Sequence, residues 1–266
     1  MNRKEFLRYA GLTGAGAAAF GATTHQAAAA PIKSEPGDLP KKMEGWQSSH
    51  RQAFNMSGYA APAIDTVRIG IIGSGNRGTH HAGTIIRVDH AEIRAVADVS
   101  PERFERIKKK LAKAPHQPDY LTGSDEAWKT LCERDDLDLV LITTPTYLHA
   151  EMAVYAMEQG KHVITEVPAA VSVKECWDLV RASERTRKHC MMMENYSYMP
   201  FHITTLNMAK QGFFGEIVHG DGAYNTSKMR NNFSKTTYWD MWWLRMYGAR
   251  KGNIYPTHGM GPVSYT

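Results

Sequence analysis

At 266 residues, with 42% hydrophobic side chains, the chain is long enough for one large or two smaller cores and is expected to fold. Its formal charge of +5 does not indicate a nucleic-acid binder, because the basic residues are spread along the chain and the one dense run, RIKKK at 106–110, reads as the solvated face of a helix. Cys132, Cys176 and Cys190 have no CxxC spacing, which argues against a zinc site or a disulfide framework, and no metal site is expected.

Residues 1–30 join a basic start to an Ala/Gly-rich stretch and a run of small residues suited to cleavage, the pattern of an export signal. NRKEFLR resembles the twin-arginine pattern, with Arg3-Lys4 in place of two arginines and Phe6-Leu7 following, so a periplasmic protein is expected. Gly11, Gly14, Gly16, Gly21, His25 and Gln26 make this stretch too polar for a stable membrane span. From 31 to 64 the sequence is rich in Pro, Lys, Ser, Gly and Gln without a sustained period, which fits a linker or surface arm.

Regular structure is expected from TVRIGIIG (66–73), an apolar β-rich run ending at glycine. A helix should follow over 77–88, then a strand (91–100), a helix opened by Pro101 (101–114) and another helix (124–136). LDLVLITTP (137–145) reads as a third buried strand, 149–161 as a helix closed by Gly160, and HVITEVP (162–168) as a fourth strand. A long helix (172–188) and a fifth strand, HCMMMEN (189–195), complete the pattern, with Met191, Met192 and Met193 expected in the core. Strands alternating with helices predict an α/β, Rossmann-like, doubly wound parallel sheet over 65–195, because parallel neighbours require crossover connections. Beyond it, a helix (201–215) and a strand (216–228) are expected to begin an α+β second domain, 196–266, with a mostly antiparallel sheet.

Gly73-Ser-Gly75-Asn-Arg-Gly78 is a G-x-G-x-x-G motif set between the first strand and its helix. The first glycine permits a tight turn, the second lets a pyrophosphate approach the backbone, and the third allows close helix packing. Asp98, twenty residues beyond Gly78 at the end of the second strand, is placed to bind a ribose hydroxyl and to disfavour a 2′-phosphate. NAD is therefore preferred to NADP. The plainer alternative is that the glycines only make a turn and Asp98 caps the helix at Pro101. His80 and His81 read as packing or surface residues.

TTPTYLHAEMAVYAMEQGKHVITEVP resembles the third-to-fourth-strand run of the glucose-fructose oxidoreductase/inositol dehydrogenase (Gfo/Idh/MocA) family. That family usually ends the strand in Glu-Lys-Pro with a lysine near the reacting hydroxyl, whereas Glu166-Val167-Pro168 stands here, and valine relays no proton. Glu-Val-Pro-Ala-Ala, the Met-rich strand ending in Glu194-Asn195, and Tyr255-Pro256-Thr257-His258-Gly259 together resemble one branch, the NAD-dependent α-N-acetylgalactosaminidases of glycoside hydrolase family 109. The resemblance implies transient NAD oxidation at sugar C3, loss of the C2 proton and the C1 aglycone, addition of water and re-reduction, a route distinct from paired-carboxylate glycosidases. A cycle without net cofactor consumption suits an exported protein that carries one retained NAD.

The resemblance further implies that Gly73, Gly75, Asn76, Arg77, Gly78 and Asp98 hold NAD, that Thr146 to His149 lie beside its nicotinamide half, and that Glu166, Val167 and Asn195 complete the pocket. Tyr255 and His258 are the candidate catalytic pair; their spacing would put them on one face of a helix opened by Pro256. A histidine, with an ordinary pKa of about 6.5, suits proton transfer near neutrality. Tyr224 is a candidate sugar contact, and Arg245 another, with Arg250 as its alternative. Trp239, Trp242 and Trp243 either stack on a sugar face or pack in a core.

The expected partner is a glycan or small-molecule substrate, without nucleic acid. A sugar or cyclitol dehydrogenase or epimerase of the same family is the alternative chemistry. A third reading is an inactive fragment, since the residues after Asn195 are too few for the family's second-domain sheet; an exposed sheet edge there would favour a homo-oligomer.

Overall fold

In the computed structural model the described residues are 51–238, 241–249, 253 and 255–265. They lie in the unit Ser48–Thr266, one of two into which the chain divides. The expected export segment, most of the 31–64 arm, Trp239 and Arg250 fall outside the described residues. No helix among the described residues is long and apolar enough to cross a membrane.

Strands β1 (Val67–Ile72), β2 (Ala91–Ala97), β3 (Asp119–Leu121), β4 (Leu139–Ile142), β5 (His162–Thr165) and β6 (Cys190–Met192) form one sheet in the order β3-β2-β1-β4-β5-β6. Every adjacent pair is parallel. The helices between them are α1 (Asn76–Ile85), α2 (Phe104–Leu111), α3 (Ala127–Cys132), α4 (His149–Glu158) and α5 (Val173–Thr186). Ser172 starts α5 by a reciprocal cap: its hydroxyl accepts the Glu175 N–H while the Glu175 carboxylate accepts the Ser172 N–H.

Alternation along the strands distributes side chains to two cores. Ile69 and Ile71 pack with Ala82, Phe104, Ile107 and Leu111 of α1 and α2 on one face. Ile72, Val140 and Ile142 pack with Trp128, Leu131, Met152 and Met157 of α3 and α4 on the other. The register slips between Ile69 and Gly70, opposite Ile93 and Ala95, so Arg94 is an extra residue in β2. This bulge is why Ile93 and Val96, three apart, share one core.

Three expectations need correction. The three-residue edge strand β3, paired to Ala95, Val96 and Ala97, escaped the sequence reading because it is too short to show alternation, so the strands expected third to fifth are fourth to sixth. Met191 is 44% exposed, because β6 is an edge strand and its outer face is uncovered. The third concerns the region after β6, where α6 (Pro200–Lys210), α7 (Met229–Asn232), α8 (Trp242–Gly248) and α9 (Thr257–Tyr265) are the helices. The strand expected over 216–228 is not formed, and among the described residues no antiparallel pair exists. A strand needs a neighbour to satisfy its backbone, and Val218, 89% exposed, has none beside it.

Gly78 fixes how α1 leaves β1. A Cβ there would lie 1.9 Å from the Gly73 carbonyl oxygen, while Gly73 itself sits at φ 94°. Gly83, on the same helix, would place a Cβ 3.4 Å from Lys110 Cδ, an ordinary contact. Gly78→Ala should therefore lower stability by about 1–3 kcal/mol, whereas Gly83→Ala should be neutral or stabilising by up to about 1 kcal/mol; urea midpoints of the two variants check this.

Candidate active site

The chain leaves β1 to one side for β2 and β3, then returns to β4 on the other side of β1. At that switch point the loops after β1 and β4 diverge and open a crevice beyond the carboxyl ends of the strands. A cavity of about 630 Å³ lies there. Its floor is the residues that follow successive strands: Gly73 and Gly75 after β1, Asp98 after β2, Thr143 to Thr146 after β4, Glu166 and Val167 after β5, and Asn195 and Tyr196 after β6. The later segments close over it with Tyr224, Lys228, Trp242, Trp243, Tyr255 and His258.

The dinucleotide end is built as the motif requires. Gly75 is the N-cap of α1, with no side-chain cap and no acidic residue in the first turn, so the first N–H groups are left for an anionic group beside the cavity. Gly78 lies beneath the loop rather than on the cavity wall, consistent with a packing role for the third glycine. Asp98 lines the cavity and also ties the loop to β2: Oδ2 accepts the Ser74 N–H at 2.6 Å and hydroxyl at 2.9 Å, and Oδ1 accepts the Ser100 N–H at 2.9 Å. Asp98 does not cap the turn at Pro101, whose N-cap is Ser100 without a side-chain cap, so the capping alternative is not what the fold shows. Asn76 and Arg77 face the cavity, with Asn76 Oδ1 accepting from Arg106 Nη1 at 2.6 Å.

Deeper in, Glu166 Oε1 is shared by Arg77 Nε at 2.6 Å and His81 Nε2 at 2.5 Å. Burial alone would raise this carboxyl, but the His81 hydrogen bond and the Arg77 charge outweigh it and bring the pKa down to about 2. Glu166 is therefore ionised throughout the neutral range. His81 was expected only to pack or lie at the surface; it pairs with Glu166 because α1 carries it one turn beyond Arg77. Val167, 4% exposed, contributes an apolar wall. His149 is fully buried, its ring nitrogens 2.8 Å from the Pro168 carbonyl oxygen and 2.9 Å from that of Thr144, and burial lowers its pKa. It joins the loops after β4 and β5. Thr146 is buried against the cavity with its hydroxyl 3.0 Å from Met246 Sδ.

His258, 8% exposed, lines the cavity within three tyrosine rings: Tyr196 at 4.5 Å, Tyr224 at 4.7 Å and Tyr255 at 5.0 Å between centroids. Its Nδ1 lies 2.6 Å from Glu194 Oε1. Tyr255 reaches it by a route other than the one expected. Helix α9 begins at Thr257, so Tyr255 lies before the helix, where its N–H is held by Asn253 Oδ1 at 3.1 Å. Burial pushes the Tyr255 phenol well above its ordinary pKa, helped by the charge of Glu166, so it is a neutral hydrogen-bond donor.

Trp242 and Trp243 line the cavity, Trp243 stacking on Tyr238 at 5.3 Å, so they serve as wall and packing together. Arg245 is exposed on α8 and is not among the cavity-lining residues. Glu194, Tyr196 and Lys228 were assigned no role from sequence. The first two flank Asn195 in the segment after β6, where Tyr196 lines the cavity and Glu194 is buried outside its lining. Lys228 carries no local signal; only the folded chain puts its Nζ 4.8 Å from the Trp243 ring and 5.4 Å from that of Tyr255.

Residues 67–194 match the family described as "Oxidoreductase family, NAD-binding Rossmann fold", and 198–266 match "Glycosyl hydrolase 109, C-terminal domain". The chain belongs to the glycosyl hydrolase 109 branch of the Gfo/Idh/MocA oxidoreductases. The matched NAD-binding domain, 67–194, is the six-stranded sheet with its connecting helices described above. A glycosyl hydrolase family 109 protein of Shewanella pealeana is 41% identical over 268 residues, covering 99% of this chain and 55% of the relative. An alpha-N-acetylgalactosaminidase of Bacteroides fragilis is 47% identical over 210 residues, 77% of this chain and 49% of that protein. This family 109 chain thus spans about half the length of these relatives. The scyllo-inositol dehydrogenase of Lactobacillus casei solved with NAD(H) and scyllo-inositol shares the fold at TM-score 0.51 and 23% identity, over 57% of this chain and 43% of its own.

The lowered pKa of Glu166 has a consequence for acid stability. Its ion pairing contributes fully above the unfolded carboxyl's pKa, about 4.3, and is lost as pH falls toward the folded value of about 2. Urea midpoints measured from pH 5 to pH 2 should fall more steeply for the parent than for Glu166→Gln, the two curves converging at the acid end.

Proposed function

We propose that this chain carries the catalytic crevice of an NAD-dependent glycosidase that removes terminal α-N-acetylgalactosamine. The observation that carries the reading is the meeting of His258 and Tyr255, 5.0 Å apart, at the end of a dinucleotide crevice whose β5 terminus offers apolar Val167. Proton handling there falls to the histidine and the tyrosine. The family 109 relatives, one of them an alpha-N-acetylgalactosaminidase, support the substrate class.

The α1 N-terminus, Asn76, Arg77 and Asp98 would hold the cofactor's phosphates and ribose, with Thr146, Glu166, Val167 and Asn195 around its reactive end. When bound, NAD supplies reversible hydride transfer at sugar C3, which acidifies the C2 proton, lets the C1 substituent depart and ends with no net redox change. His258 takes and returns protons through the ring nitrogen not engaged by Glu194. Tyr255, kept neutral by burial, donates a hydrogen bond to a sugar oxygen. The paired Glu166 holds Arg77 in place and presents a fixed negative charge to the cavity. Tyr224 and Trp242 offer aromatic faces for the apolar side of a pyranose.

Export belongs to the same reading. The basic, Ala/Gly-rich first 30 residues have the composition of an export signal, and a redox-neutral cycle works where no soluble nicotinamide pool exists.

The test is incubation of the NAD-loaded protein with an aryl α-N-acetylgalactosaminide in D₂O. Free N-acetylgalactosamine bearing deuterium at C2, without accumulating NADH, is the expected result, and His258→Ala should slow release by about 10²–10⁴-fold. NADH formed in step with substrate, with the glycoside intact, would instead establish a dehydrogenase.

A further inference from the structure

Glu194 is the most deeply buried acidic side chain at the His258 end of the cavity, 3% exposed, and nothing in the chemistry above uses it directly. All of its hydrogen bonds fall on one oxygen: Oε1 lies 2.6 Å from His258 Nδ1 and accepts the Tyr196 N–H at 3.0 Å. Oε2 is buried without a partner among the described residues. A solvent-excluded carboxylate with one bare oxygen is costly, and a protein keeps such a group only where its surroundings fix it.

The surroundings do fix it. Glu194, two residues past the end of β6, is the N-cap of a 3₁₀ turn, Asn195–Tyr198, and its side chain accepts the N–H of Tyr196, the second residue of that turn. On the other side, α9 crosses at Gly261, where a Cβ would come within 3.1 Å of Glu194 Cγ. The helix that carries His258 therefore also supplies the space for its carboxylate partner. A carboxylate accepts and cannot donate, so the shared proton sits on Nδ1 whenever the ring is neutral. Nε2 then bears the lone pair, has no hydrogen-bond partner among the described residues, and belongs to a ring that lines the cavity.

We propose that Glu194 is a positioning residue for the reaction: it holds His258 in the Nδ1–H tautomer, aims Nε2 at the substrate, and compensates the imidazolium formed when Nε2 takes a proton. The role rests on the glycosidase reading for its catalytic consequence, but the tautomer itself does not. It has the logic of any base oriented by a buried acid.

The experiment combines ¹⁵N-histidine NMR of the full chain with steady-state kinetics, on the parent, Glu194→Gln and Glu194→Ala. In the parent with the imidazole neutral, His258 should show a protonated Nδ1 and a pyridine-like Nε2. Glu194→Gln, whose amide oxygen still accepts from Nδ1, should keep that tautomer yet lose charge compensation. Glu194→Ala should lose the tautomer. Both should lower kcat by about 10–10³-fold with KM for the glycoside and NAD binding unchanged, Gln less severely than Ala. An Nε2–H tautomer in the parent, or a Glu194→Ala protein with the parent's tautomer and turnover, would overturn the proposal. Because the NMR assignment needs no turnover, a failure of the glycosidase reading would leave it readable; NAD binding by the Gln variant separates misfolding from loss of positioning.

Discussion

The contact between Gly78 and the Gly73 carbonyl is the constraint from which the site follows. A helix can leave a parallel strand this abruptly only where no side chain stands between them, and a Cβ at Gly78 would lie 1.9 Å from that oxygen, far inside van der Waals contact. The turn sets the first N–H groups of α1 beside the cavity and sends Arg77 and His81 inward from successive turns of one helix. Glu166, arriving from β5 two strands away, meets both. The loop that prepares the cofactor end thus also fixes the charge at the centre of the crevice.

Electrostatically the cavity is divided. In its wall Glu166 is held ionised by Arg77 and His81, while a second carboxylate, Glu194, is buried outside the lining and bound to the imidazole of His258, which does line it. The lining also holds groups that carry no charge of their own: Val167 and the Tyr255 phenol, which burial keeps protonated. Lys228 is held over the aromatic faces of Trp243 and Tyr255.

The second region has a different physical balance. Phe201 is 73% exposed on α6, and Phe213, Phe214, Ile217 and Val218 follow it outside the core. The residues that reach the cavity from this region do so through aromatic clustering, with Tyr224, Trp243, Tyr255 and His258 in mutual contact, rather than through a sheet of their own. This region is the part that matches the glycosyl hydrolase 109 C-terminal domain.

What could be read in advance divides along a physical line. The G-x-G-x-x-G turn, Asp98, the alternation of strands with helices and the polar residues at strand ends were legible because each depends on neighbours in sequence: a φ that only glycine tolerates, a period of hydrophobicity, a cap. The position of Tyr255 beside His258 was legible too, although the assumed helical face was not its cause. What the tertiary structure decided were contacts whose partners lie far apart in the chain and carry no mutual periodicity. Glu166 with His81, Glu194 with His258 and Lys228 over Trp243 exist only because crossover connections bring the ends of non-consecutive strands to one crevice. The strand expected over 216–228 failed for the same reason: its sequence supplies β propensity, but a strand exists only where a neighbour completes its ladder, and that neighbour is a tertiary fact.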